Sequence, residues 1–466
     1  MPSKSIAPSQ LASGVATPRH VDDSVDSSYS SPLFSAVLQD RLRQLDIHSS
    51  GEAKQGSPGG EKHHSTYKNA LVHSIEVLAE DRRKTSELAR EQALGNLLRI
   101  MVMKYDPFII NYDLFTTIIQ SYTSSRTEVE ASTALQLICV CTTMLEESDD
   151  PRSGDCFDMV NNLRGSLLKR LDSTSSLMVK QAIVTSFAVL TYFMHAGGGG
   201  YGMEKAVSGL LEVAEGVSDA SESPLAASSL AGAALLTTLL SPGSAEELAS
   251  DWLYSFVPML ELADISARLA AVKFVAVLFE ISNPTALFEG ENGEASEQIM
   301  ETLEQMSQES ISRTAKRDKK IQNLLVKSVL KTGRSRQELA ELEGKDEEEH
   351  KERAKELVSD LVLQYHKHTL SKSLGINTWV ALIVVEHLGW VFGPGLHIQL
   401  ASNPYIKSLL KKEEVKVENS LTMQSEDNDG WREQDETPRK SVDQAKKSQA
   451  IRKRQIEKAE ERGLAD

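Results

Sequence analysis

From Tyr67 to about Lys331 apolar residues recur at helical spacing almost without a break. One kind of helix returns five times, with small and apolar residues on one face: "ELAREQALGNLLRI", "TEVEASTALQLICV", "LMVKQAIVTSFAVL", "SPLAASSLAGAALL" and "ISARLAAVKFVAVL". Laid over one another, these put Arg90, Glu130, Lys180, Ala227 and Arg268 in register, at intervals of 40, 50, 47 and 41 residues. Helix breakers fall between the units, in "EESDDPRSG", "HAGGGGYG", "SDASESP", "SPGS" and "ISNP". Asp172 or Ser173, and Asp264, stand where helix caps belong.

A period of this length is that of armadillo and HEAT repeats, built from two or three helices per unit. Each unit buries its apolar face only against its neighbours. The expected fold is therefore all-α: an armadillo/HEAT-like α-solenoid of about five units, with a small C-terminal helical piece and disordered termini.

The flanks read differently. Residues 1–66 are rich in Ser, Pro, Gly and Asp and hold too little apolar surface to offset chain entropy. Within them only "LFSAVLQDRLRQLDI" (Leu33 to Ile47) has helical periodicity. The repeat domain is assigned to 67–333 and a charged linking helix to 334–375, around "QELAELEGKDEEEHKERAKELVSD". A small C-terminal domain follows at 376–412. There an apolar helix ends at "GPG", and Ser402 or Asn403 caps a last helix with Pro404 at its first position. Residues 413–466 are a polar linker and a basic tail.

Composition narrows the function. The apolar fraction is 40%, enough for a core, and the three cysteines, Cys139, Cys141 and Cys156, are too few for a disulfide framework. They suit a reducing compartment, and the expected location is cytoplasmic with the nucleus as a second site. No secretory leader is visible in the first 20 residues, and "WVALIVVEHLGWVF" carries Glu386 and His387 at its centre, so neither membrane nor secretion is expected.

Catalytic signatures are missing. "HAGGGGYG" lacks the Lys-Ser/Thr of a phosphate loop, "CVC" has no second pair at zinc spacing, and Lys62–His64 is an isolated basic run. No catalytic residue, cofactor, metal or small-molecule substrate is assigned, and a binding protein is expected rather than an enzyme.

Charge points to the partner. The chain carries 51 Lys+Arg against 67 Asp+Glu, net −16. Yet Arg313 to Arg336 sums to +8, and Arg439 to Lys458 to +6, which leaves −30 for the rest. On a helix Arg313, Lys316, Arg317, Lys320, Lys327 and Lys331 fall within about 60° of one line. Ile311, Ala315, Leu325, Val326 and Val329 point the other way. In the tail, Lys446, Lys447, Arg452, Lys453, Arg454 and Lys458 point all round a helix with no apolar seam. Such a helix orders only when something else, such as a polyanion, surrounds it. Segregation on this scale suggests an RNA or DNA surface, with nuclear import as the competing use of "IRKRQ".

"DISARLAAVKFVAVLFEI" followed by "METLEQMSQESISRTAKRDKKIQNLLVKSVLKT" resembles the interferon-related developmental regulator family, where a last repeat runs into a basic segment matched here by Arg317, Asp318 and Lys319. "NTWV … GPGLHIQLASNPYIKSLL" resembles that family's smaller C-terminal domain through Trp379, Gly393, Gly395, Ser402 and Asn403. The acidic Gly344–Glu352 and the stretch Glu413–Pro438 depart from the family's pattern. The resemblance implies a non-enzymatic scaffold on translationally inactive ribosomes, whose basic C-terminal helix enters the tRNA and mRNA path and represses translation. The alternative it implies is a nuclear transcriptional co-regulator, a protein–protein adaptor working through the solenoid groove.

Overall fold

The computed structural model describes residues 61–196, 202–217, 219–308, 316–341, 374–376, 378–412 and 416–417. The expectations for residues 1–60, for the linker 342–373 and for the tail beyond 417 lie outside these.

The described chain is helical and two-layered. In chain order the solenoid runs α1 (Glu61–Ala79), α2 (Glu87–Met103), α3 (Tyr112–Thr123), α4 (Glu128–Thr142), α5 (Ser153–Leu167), α6 (Leu177–His195) and α7 (Met203–Glu215). It continues as α8 (Ser223–Thr237), α9 (Pro242–Leu260), α10 (Ile265–Ile281), the short α11 (Pro284–Phe288), α12 (Gly293–Gln308) and α13 (Lys316–Glu341). The inner layer stacks α2, α4, α6, α8, α10 and α13, each on the next. The outer layer is α1, α3, α5, α7, α9 and α12. The five helices that recur in the sequence are the first five of the inner layer.

Their composition follows from that position. An inner helix touches neighbours on both sides and an outer helix behind, so it is apolar nearly all round; α4 is buried at every residue from Glu130 to Thr142. Small residues stand where inner helices come closest: a Cβ on Gly232 would lie 2.9 Å from the Ala188 Cβ. Ser86, Thr127, Ser176 and Asp264 cap α2, α4, α6 and α10, each accepting from a backbone N–H three residues on. Each cap contributes about 1 kcal/mol. Asp264 is the cap its sequence suggests. For α6 the cap is Ser176, not Asp172 or Ser173, because a 3-10 turn over Leu168–Arg170 delays the helix start to Leu177.

The register found in the sequence is electrostatically active. Glu130, buried in α4, accepts from Arg90 Nε of α2 at 3.2 Å and from Arg82 Nη2 at 2.5 Å, and Lys180 pairs with Glu222 at 2.6 Å.

Two boundaries differ from the sequence expectation. Helix α13 runs through residue 333 to Glu341, because Gly333 is not a helix stop. It is the point where α13 passes Met300 and Phe279 so closely that a Cβ would collide with both. Residues 376–412, expected as a separate small domain, share the solenoid's hydrophobic core. They form α14 (Trp379–Phe392), a Gly393–Gly395 turn, α15 (Leu396–Ser402) and α16 (Pro404–Lys412). Leu374–Gly375 and Lys416–Val417 pair as a two-residue antiparallel ladder at the base of this segment.

Candidate nucleic-acid interface

Helix α13 closes the inner layer and holds the basic stripe. Leu325, Val326, Val329 and Leu330 are buried against the solenoid. Lys327, Lys331 and Arg334 stand exposed on the opposite side. Their spacing of four and three residues makes them neighbours on one helix face. Among the described residues neither Lys327 nor Lys331 makes an ion pair. Arg334 is engaged by Glu304 of α12. Arg336 turns inward, where Nη2 donates to the Glu280 carbonyl at 2.5 Å and burial pushes its guanidinium pKa down. Two of the cations counted in the basic segment therefore serve the fold. Lys316, Arg317 and Lys320 lie in the first turns of α13, but their side chains, like Arg313 and the tail residues Lys446, Lys447, Arg452, Lys453, Arg454 and Lys458, fall outside what is described.

The groove that an adaptor would offer is filled from within. Helix α14 crosses α10, α8 and α4, and α15 reaches α2. Its N-terminus is fixed at the α10–α13 end. Glu280 Oε2 accepts from the backbone N–H groups of Trp379 and Val380 at 2.6 and 3.0 Å, and Trp379 Nε1 donates to Thr332 Oγ1 at 3.0 Å. A carboxylate at a helix N-terminus is stabilised by the helix dipole. Midway, Lys273 Nζ pairs with Glu386 at 2.6 Å. His387 is buried, with Nδ1 donating to the Ile383 carbonyl at 2.8 Å, and desolvation holds its pKa below the usual imidazole range.

The far end is fastened by amides and glycines. Gln136 Nε2 of α4 donates to the carbonyls of Trp390 and Val391, at 2.9 and 3.1 Å. Gln399 Nε2 of α15 donates to those of Met101 and Val102, at 3.0 and 3.1 Å. Gly393 takes φ +49°, which favours glycine. Gly395 packs on Val102 so closely that a Cβ would collide with its carbonyl. Asn403, not Ser402, caps α16 through Oδ1, which accepts from Ile406 N at 3.2 Å. Tyr405 then donates to the Phe193 carbonyl at 2.6 Å. The stretch Trp379–Ser402 is apolar enough to cross a membrane by composition, and the fold buries most of it.

The comparison with known families decides the lineage. The interferon-related developmental regulator family matches residues 44–332, which take in the described solenoid from α1 to Thr332 of α13. The chain belongs to this family. No curated protein matches it. Membership supports a regulatory role, and the interferon-related developmental regulators are not a known enzyme family. In this member, the residues that fill the groove lie beyond the matched region. Sequence reasoning found Trp379, Gly393, Gly395 and Asn403 by resemblance. It missed Gln136, Glu280, Lys273 and Gln399, which look like ordinary surface residues until the segment is seated on them.

The cysteines belong to the core. Cys139, Cys141 and Cys156 are buried, and desolvation pushes the Cys139 thiol up to about 12 and the Cys156 thiol up to about 11. Thiols held protonated in this way are poor nucleophiles.

Proposed function

We propose that this protein is a non-enzymatic RNA-binding scaffold that associates with translationally inactive ribosomes and represses translation by inserting its basic C-terminal segment. The observation that carries this reading is the exposed Lys327–Lys331 pair on α13, set against a helix whose other side is locked into the core. Cations so placed keep their positions relative to the solenoid and suit a phosphate backbone, where each contact releases counterions. The tail from Lys446 to Lys458 supplies the second, denser charge. Occupation of the mRNA and tRNA path by that tail silences by exclusion, with no chemical step. Action is in the cytoplasm, with the nucleus as a second location.

The co-regulator reading draws less support. It relies on the solenoid groove as a peptide site, and the chain's own α14 and α15 lie in that groove.

Sucrose-gradient sedimentation of cell lysates at low and moderate salt tests the proposal. The full chain is expected with monosomes and not polysomes. A chain ending at Ser441, and the Lys327→Glu/Lys331→Glu variant, are expected in light fractions with unchanged thermal unfolding. Full-length protein confined to light fractions at both salts, in growing and starved cells alike, refutes it.

A further inference from the structure

The exposed row on α13 has a third cation that the free protein keeps occupied. Lys327, Lys331 and Arg334 follow one another at four and three residues and share one exposed face over about 10 Å of helix axis. Among the described residues the two lysines make no ion pair, whereas Arg334 meets Glu304 of α12. That pair lies in the open, its side chains 62% and 45% exposed. Among the described residues the guanidinium reaches Glu304 through Nη2 alone. Exposed pairs add little stability, and a carboxylate met at one nitrogen leaves the rest of the guanidinium fork unused. Arg336, two residues on, is the contrast, since it turns inward to the Glu280 carbonyl.

A nucleic-acid phosphate suits Arg334 better than Glu304 does. It accepts the guanidinium in two parallel hydrogen bonds, and its neutralisation releases condensed counterions as well. The exchange needs no backbone movement. Gly333 packs on Met300 and Phe279, and Leu303 and Met306 beside Glu304 are buried, so both helices hold while two side chains swing. We propose that Glu304 is an internal stand-in for phosphate, which holds Arg334 in the free protein and yields it to an RNA backbone once Lys327 and Lys331 have engaged. The bound site is then a row of three cations for neighbouring phosphates, where the free protein offers two. The inference rests on the RNA-binding reading above and adds to it a contact and that contact's competitor. An isolated carboxylate on a partner gains nothing over Glu304, so the exchange selects for a polyphosphate.

The test removes the two partners together, which leaves the net charge of the stripe unchanged. Affinity for salt-washed vacant ribosomes is measured across a range of salt for full-length chains: native, Glu304→Gln, Glu304→Gln/Arg334→Gln, Arg334→Lys and Lys327→Glu/Lys331→Glu. Exchange predicts binding about ten-fold weaker for the double Gln variant than for the native chain, with a salt slope shallower by about 0.7–0.9. Glu304→Gln alone is expected to bind up to about five-fold tighter at the native slope, because the competitor is gone. Arg334→Lys is expected to keep the slope and lose part of the affinity, since a point charge replaces the fork. Thermal unfolding of the variants is expected to be unchanged, because both side chains are exposed. Equal affinity and slope for the native chain and the double Gln variant, with the lysine reversal binding weakly, overturns the exchange and leaves the proposed function standing. Full-length protein that does not bind vacant ribosomes, or binds them undiminished after the lysine reversal, overturns the proposed function and the exchange with it.

Discussion

Gln136 and Gln399 make the same contact in opposite directions. Gln136, on the solenoid, reaches into the C-terminal segment to donate to the last carbonyls of α14. Gln399, on that segment, reaches back to donate to the last carbonyls of α2. Both amides are buried, and each satisfies two acceptors that a helix end leaves open. The segment and the solenoid thus complete each other's backbone hydrogen bonding, as two halves of one core do.

Removing either amide leaves buried carbonyls without a donor. Gln399→Ala and Gln136→Ala are each expected to cost about 1–3 kcal/mol. Urea unfolding monitored by circular dichroism checks this. A loss indistinguishable from zero would mean that water reaches those carbonyls.

The glycine turn is more sensitive. Gly395→Ala places a methyl group in the Val102 carbonyl, and the neighbour is backbone with no rotamer to change. The expected loss is about 3 kcal/mol, at the upper end for overpacking. Gly393→Ala strains a left-handed φ and is expected to cost about 1–3 kcal/mol. Gly165→Ala, an exposed helical position with open space around it, is the control and is expected to be neutral or slightly stabilising. Equal behaviour of Gly395→Ala and the control would remove the close approach from the account.

Glu130 holds two arginines from the first unit, one of them buried. Glu130→Ala leaves the Arg90 guanidinium in the core without its carboxylate, and about 3–5 kcal/mol of destabilisation is expected. Replacing Arg90 and Glu130 together by apolar residues of similar volume is expected to recover part of that loss. A double variant less stable than Glu130→Ala would count against this view of the pair.

Burial keeps His387 neutral in the fold, with its pKa below the unfolded value. For a base whose folded pKa is depressed, the unfolded chain binds more protons once pH drops below the unfolded pKa near 6.5. Stability is therefore present above that pH and is lost as pH falls through it, at up to about 1.4 kcal/mol per pH unit. His195, whose pKa is lowered by burial and by Arg164, adds in the same direction. Urea midpoints measured from pH 7.5 to 5 should fall for the native chain and fall less for His387→Gln. Parallel curves for the two would exclude His387 as a source of the slope.

The inner layer was legible because its helices share a composition that their position imposes. Small residues at close approaches and apolar residues all round recur at a fixed interval, so α2, α4, α6, α8 and α10 could be read by self-similarity. The continuation of α13 past residue 333 to Glu341 was not legible, since the close packing of Gly333 on Met300 and Phe279 leaves no local pattern in the sequence. The seat of residues 376–412 was also hidden. Its apolar helix announced burial, but the residues that receive it are polar, and their partners lie 99 to 298 positions away. Of the stripe, the alternation at Leu325, Lys327, Val329 and Lys331 was enough to separate buried from exposed. The inward turn of Arg336 was not, because only the fold shows that Glu280 waits beneath it.

The filled groove also fixes an order of events. The inner layer acquires its last covering only from residues 379–402, across sequence separations approaching 300. Contacts that distant cannot form until synthesis has passed Gln399, and pairings of such range are slow even then. Until α14 settles, the apolar inner surface of a solenoid with its helices already stacked stays open to water. A nascent or truncated chain in that interval presents sticky surface that the finished protein never shows, so its dependence on chaperones should end when α14 closes the groove, ahead of the tail that follows it.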